Sequence, residues 1–114
     1  MGRVLQIRVS AYTFDPSEVE KNWPHLFEVV FAQDQKVSNP GVRELLKRLK
    51  EKVLFEDLDP RIAAFLEPQV KELESWQKKL DTALANWEPQ KANEISYLLE
   101  EKLDQIEQKL KEIL

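Results

Sequence analysis

The stretch KLDTALANWEPQKANEISYLL (residues 79–99) decides the fold. On either side of its centre the apolar residues recur at intervals of three and four, the spacing of an amphipathic helix. Trp87, Glu88 and Pro89 leave room only for a tight reversal, so two helices, over residues 60–87 and from Pro89 to near Leu114, should lie antiparallel. Facing residues of an antiparallel pair have a constant sum of residue numbers. Trp87 with Ala92, Leu84 with Ile95, Leu80 with Leu99, Trp76 with Leu103, Leu73 with Ile106 and Leu66 with Ile113 all give 179. Every pair is apolar, and the largest side chain meets the smallest beside the turn. The pattern predicts a long αα-hairpin with a coiled-coil-like seam. Asp59 and Pro60 cap its first helix, and Pro68 should kink or restart it.

Upstream, SNPG restarts a helix with Asn39 as cap and Pro40 at its first position. Val42, Leu45, Leu46, Leu49 and Val53 form its apolar stripe, and Arg43, Lys47, Arg48, Lys50 and Lys52 occupy the rest. Before it, Asp15 and Pro16 open a helix whose stripe runs through Val19, Trp23, Leu26, Phe27, Val30 and Phe31. Pro24 should kink or split that helix. The run LFEVVF (residues 26–31) has strand composition, but its stripe stays in helical register across the proline, which favours helix.

At the N-terminus RVLQIRVS (residues 3–10) alternates: Leu5, Ile7 and Val9 on one side, Gln6, Arg8 and Ser10 on the other. It reads as a β-strand. The expected fold is therefore mainly α: one N-terminal strand, then four or five helices, the last two forming the hairpin. With 114 residues the chain reads as a single domain, 1–57 carrying the strand and the first helices and 58–114 the hairpin.

Composition limits function. There are no cysteines, so disulfides, thiol nucleophiles and thiolate metal sites are absent together, as suits a reducing cytoplasm. No apolar run approaches the roughly 20 residues that span a bilayer, so a cytoplasmic protein with no membrane contact is expected. Gly2 and Gly41 cannot build a phosphate loop, and the single histidine, His25, completes no metal motif. On a helix His25 sits about 200° round from Trp23 and should face solvent. With no catalytic, cofactor or metal residues to name, the chain reads as a non-enzyme without a cofactor. Tyr12, Phe14, Trp23, Phe27 and Phe31 could line a pocket, but core packing is the plainer reading.

A strand needs a neighbour, since each buried backbone bond left unmade costs about 1–3 kcal/mol. With residues 26–31 helical, that neighbour must be a second copy, and Leu5, Ile7 and Val9 would form the buried face of a homodimer strand pair. The first reading is thus a self-associating protein–protein interaction module, its hairpin open to a further protein partner. The order of strand, helix, Asn-Pro-Gly turn and amphipathic helix over residues 3–54 also resembles the ribbon-helix-helix arrangement of dimeric DNA-binding repressors and antitoxins. That resemblance implies a nucleic-acid partner, with Gln6, Arg8 and Ser10 directed at base edges and the amides that open the Pro40 helix directed at phosphate. The first helix is longer than that motif's, and residues 1–55 carry a net charge of only +2, against −6 for residues 56–114.

Overall fold

A computed structural model describes residues 10–13, 15–31, 40–55 and 58–114. They form five helices: α1 (Ser17–Asn22), α2 (Pro24–Phe31), α3 (Val42–Phe55), α4 (Pro60–Ala85) and α5 (Pro89–Ile113). No strand occurs among the described residues. Residues 3–9, with Leu5, Gln6, Ile7, Arg8 and Val9, lie outside them; Ser10 is exposed and belongs to no regular element.

The hairpin forms as its sequence dictates. Asp59 accepts the Arg61 amide at 2.9 Å, and Pro60, which has no amide to satisfy, takes the first position of α4. The Arg61 side chain and amide hold the Asp59 carboxyl below its ordinary value. Pro68 does not restart the helix: α4 is continuous from residue 60 to 85, with the proline on its exposed side. Along the seam, Leu66, Leu73 and Leu80 of α4 and Ile95, Leu99, Leu103 and Ile106 of α5 are buried. Trp76, Leu84 and Ile113 are half-buried.

The outermost expected pair is wrong. Ala92 is buried but Trp87 is 57% exposed, and Ala83 stands in the seam beside Leu80, Ala92 and Ile95. The reason lies in the backbone. Glu88 N donates to Ala83 O at 2.9 Å and Trp87 N to Leu84 O at 3.2 Å. This is the double closure of a Schellman cap, which requires a left-handed residue at the position Trp87 occupies. Trp87 adopts φ 59°, the one positive φ outside glycine among the described residues, and its side chain leaves the seam. An L-residue in this region costs roughly 1–2 kcal/mol that glycine avoids. Trp87→Gly is therefore expected to raise stability by about 1 kcal/mol, or about 4–8 °C in melting temperature. A melting temperature no higher than the parent's would mean the indole makes compensating contacts.

Pro24 splits its helix outright. Asp15 accepts the Ser17 amide at 3.0 Å to open α1, and the Ser17 hydroxyl, at 2.8 Å, together with that amide holds its carboxyl below the ordinary value. Trp23, at φ −130° and ψ 60°, is the joint: its amide closes α1 onto Val19 O, and its carbonyl accepts the Phe27 amide of α2. Residues 26–31 are helical, as the stripe predicted, and Val19, Trp23, Leu26, Val30 and Phe31 are buried.

In α3, Leu45, Leu46 and Leu49 are buried and Val42 and Val53 half-buried. Asn39 lies outside the described residues, and α3 begins at Val42 rather than Pro40. The Val42 amide is capped from 29 residues away by Thr13 Oγ1 at 2.8 Å. A Cβ at Gly41 would stand 2.7 Å from that oxygen, so glycine is what admits the cap. Lys52, placed by periodicity on the polar side, is buried.

Ion pairs from Arg43 to Asp81 and from Lys50 to Glu74 set α3 along α4 in the opposite direction, while α2 rests on α5. All five helices share one core that includes Leu26, Leu45, Leu49, Leu66, Leu103 and Leu110. Near the turn of the hairpin lies a second, smaller cluster of Leu80, Ala83, Ala92 and Ile95, packed against by Ala11, Trp76 and Leu84. Helices of 26 and 25 residues run to about 38 Å. The hairpin thus gives the molecule its long axis, 52 Å against 27 and 26 Å.

Candidate functional site

Between α1, the start of α3 and the middle of the hairpin lies a groove of about 520 Å³. Its apolar walls are Trp23, Leu46, Leu80 and Leu99; Glu18 and Glu100 stand at its polar edge. That volume falls in the range of ordinary binding clefts. Trp23 is held in place by its indole N–H, which donates to Asp104 Oδ1 at 2.8 Å. Partial burial, reinforced by the nearby Asp104 charge, raises the Glu100 carboxyl above its ordinary value.

The chain runs along this groove at residues 11–13. Ala11 O lies 3.5 Å from Arg43 Nε, at the limit of a hydrogen bond, and the same guanidinium reaches Asp81 Oδ1 at 2.8 Å. Tyr12 points outward at 87% exposure, and Phe14 lies outside the described residues. Of the proposed aromatic set, Trp23 and Phe31 are core residues, Phe27 packs against the core with its ring 5.0 Å from that of Phe31, and Trp23 also forms a groove wall.

His25 does not stand free in solvent. Its Nδ1 is 2.6 Å from Glu107 Oε2, and Glu107 Oε1 accepts the Leu26 amide at 2.9 Å. Because Pro24 begins α2 without a local capping side chain, the helix takes its acceptor from α5, more than 80 residues away. Asp104 and Glu107, one turn apart on α5, thereby fasten the α1–α2 joint to the hairpin. Sequence reading missed both, since acids at this spacing look like a solvated helix face. Glu107→Ala is expected to cost about 1–3 kcal/mol, because it strands a part-buried amide. Glu112→Ala, on the exposed end of α5, should change little. Urea denaturation of both variants checks this, and equal midpoints would show that the capping bond contributes nothing.

The candidate positions separate as follows. Ser10 is exposed; Gln6, Arg8, Leu5, Ile7 and Val9 fall outside the described residues. At the helix start suggested for phosphate, the Val42 amide is occupied by Thr13. Among the described residues no group of three or more His, Asp or Glu side chains is placed to hold a metal ion, and no helix is long and apolar enough to cross a membrane. The outer side of the hairpin is polar: shallow depressions there are lined by Lys71, Glu74 and Lys78 on α4, and by Glu101, Gln105 and Gln108 on α5. Compared with known protein families, with curated proteins and with solved structures, the chain matches none.

Proposed function

We propose that this protein is a self-associating interaction module in which residues 3–10 pair, strand to strand, with the same segment of a second copy. The observation that supports it most is the helical state of residues 26–31. That run was the candidate for an in-chain strand partner, and as a helix it has no backbone bonds to lend. An alternating segment that buries Leu5, Ile7 and Val9 must satisfy its main chain, and a two-fold axis lets each copy supply what the other lacks. Light scattering at micromolar concentration tests the proposal directly: twice the chain mass is expected, and a monomer overturns it.

A DNA-binding regulator built on the same paired strands is the alternative reading. Ser10 is exposed, on the side that alternation assigns to Gln6 and Arg8, which is the phase such a reading needs. It requires that the dimer bind random duplex DNA with affinity that falls steeply with salt, and that Arg8→Ala weaken the binding. A dimer that ignores DNA at low salt leaves the interaction module alone.

A further inference from the structure

The four described residues ahead of Phe14 reveal how the chain approaches the hairpin. Ser10 and Tyr12 are exposed, whereas Ala11 and Thr13 are half-buried. Ala11 packs against the cluster of Leu80, Ala83, Ala92 and Ile95, and Thr13 turns its hydroxyl to the Val42 amide. Burial with a period of two is the mark of an extended chain lying on a surface, because successive side chains point to opposite faces.

The parity matches the sequence. Odd positions face the protein at 11 and 13, and odd positions are the apolar ones at 5, 7 and 9. The polar residues Gln6 and Arg8 share the parity of Ser10 and Tyr12. A register slip of one residue would reverse every side chain, so agreement of phase across position 10 is a specific coincidence if the two stretches are unrelated. The surface beside Ala11 is suited to what residues 3–9 carry. It is the groove walled by Leu80, Leu99 and Trp23, with Asp15, Glu18 and Glu100 against the single cation Arg43 in its lining, while residues 3–9 carry no acid and bring Arg3 on the facing parity. Seven extended residues reach about 23 Å, well within the length of the hairpin.

We infer that residues 3–9 seat Leu5, Ile7 and Val9 on the α4–α5 hairpin of their own chain, continuing the contact that Ala11 begins. This rests on the extended reading of residues 3–10 that also underlies the proposed dimer, but not on the dimer itself. A second copy would pair along an edge of the seated segment. The groove is then the docking site for the chain's own N-terminal segment and not a small-molecule site.

The absence of native cysteines makes the test clean. Full-length chains carrying Ile7→Cys with Ser96→Cys, and Arg8→Cys with Ser96→Cys, are oxidised and resolved on a non-reducing gel. Ser96 lines the groove on α5; Gln77, which lines it on α4, serves as a second anchor through Gln77→Cys. Disulfides need Cβ atoms that face one another, so the Ile7→Cys pairs should close within one chain about tenfold faster than the Arg8→Cys pairs. Unchanged helical circular dichroism shows that each variant is folded. Equal rates, or no bridge with either anchor, overturn the seating. A bridge that forms only between chains also overturns it, because the segment then belongs to its neighbour's groove. The parent chain's mass is read separately. A dimer without the parity effect sinks the seating alone, and a monomer with it sinks the dimer alone.

Discussion

Leu103→Ala should lower the free energy of unfolding by about 3–4 kcal/mol. Leu103 is wholly buried on α5, in the core where all five helices meet. Truncation removes the transfer energy of three carbons and also leaves a cavity. That cavity cannot collapse easily, because Leu66, Ile106 and Leu110 around the core are each fixed on a long helix held at several other points. A domain of this size is stable by about 5–15 kcal/mol, so one such change takes a large share. With a urea dependence of about 1–2 kcal/mol per molar, the midpoint should fall by about 2 M. Leu98→Ala, five residues earlier on α5 but 43% exposed, should cost less than about 1 kcal/mol. Similar midpoints for the two variants would mean that Leu103 is not packed as described.

The hairpin was legible because its information is local. A three-residue turn fixes antiparallel packing and periodicity fixes the buried faces, so every expected seam residue except Trp87 is buried or half-buried. The helical state of residues 26–31 was legible for a similar reason, since a stripe in phase across Pro24 outweighs strand-like composition. What escaped reading depends on atoms far apart in the chain. Thr13 caps α3 from 29 residues away, and Glu107 caps α2 from 81; nothing near either helix start announces its partner. The same applies to His25, whose angle from Trp23 correctly removed it from the core but could not show that α5 passes beside it. Trp87 failed differently. The cap at the end of α4 calls for glycine, the chain has none there, and a tryptophan counted as seam was instead spent on the turn. Of the groove only Trp23 was legible, as one of an aromatic set read chiefly as core, and nothing in the sequence separates Glu100 at its edge from an exposed helix acid.

Leu80→Glu should cost about 4 kcal/mol or more and, in a marginal domain, should prevent folding at 37 °C. Leu80 is 8% exposed and belongs to the small cluster near the turn, where two of its three buried neighbours are alanines. Replacing it loses the burial of a leucine, about 1.5–3 kcal/mol. It also forces a carboxylate among methyl groups with no partner to receive it. The adjacent Lys79 is the natural control, on the wet side of the same turn. Its ammonium lies 4.5 Å from the Trp76 ring, so Lys79→Glu forfeits a cation–π contact of about 0.5–1 kcal/mol and little else. The pH response separates a buried charge from mere loss of packing. Burial raises the carboxyl's folded pKa above its unfolded value, so the folded variant binds the proton more readily than the unfolded chain does. The penalty is therefore full at neutral pH and shrinks as pH falls through that raised value. The gap between Leu80→Glu and the parent should narrow toward about pH 4–5, while the gap for Leu80→Ala, which introduces no titrating group, stays constant. A gap for Leu80→Glu that ignores pH would place residue 80 in water and dissolve the cluster on which the seating of the N-terminal segment depends.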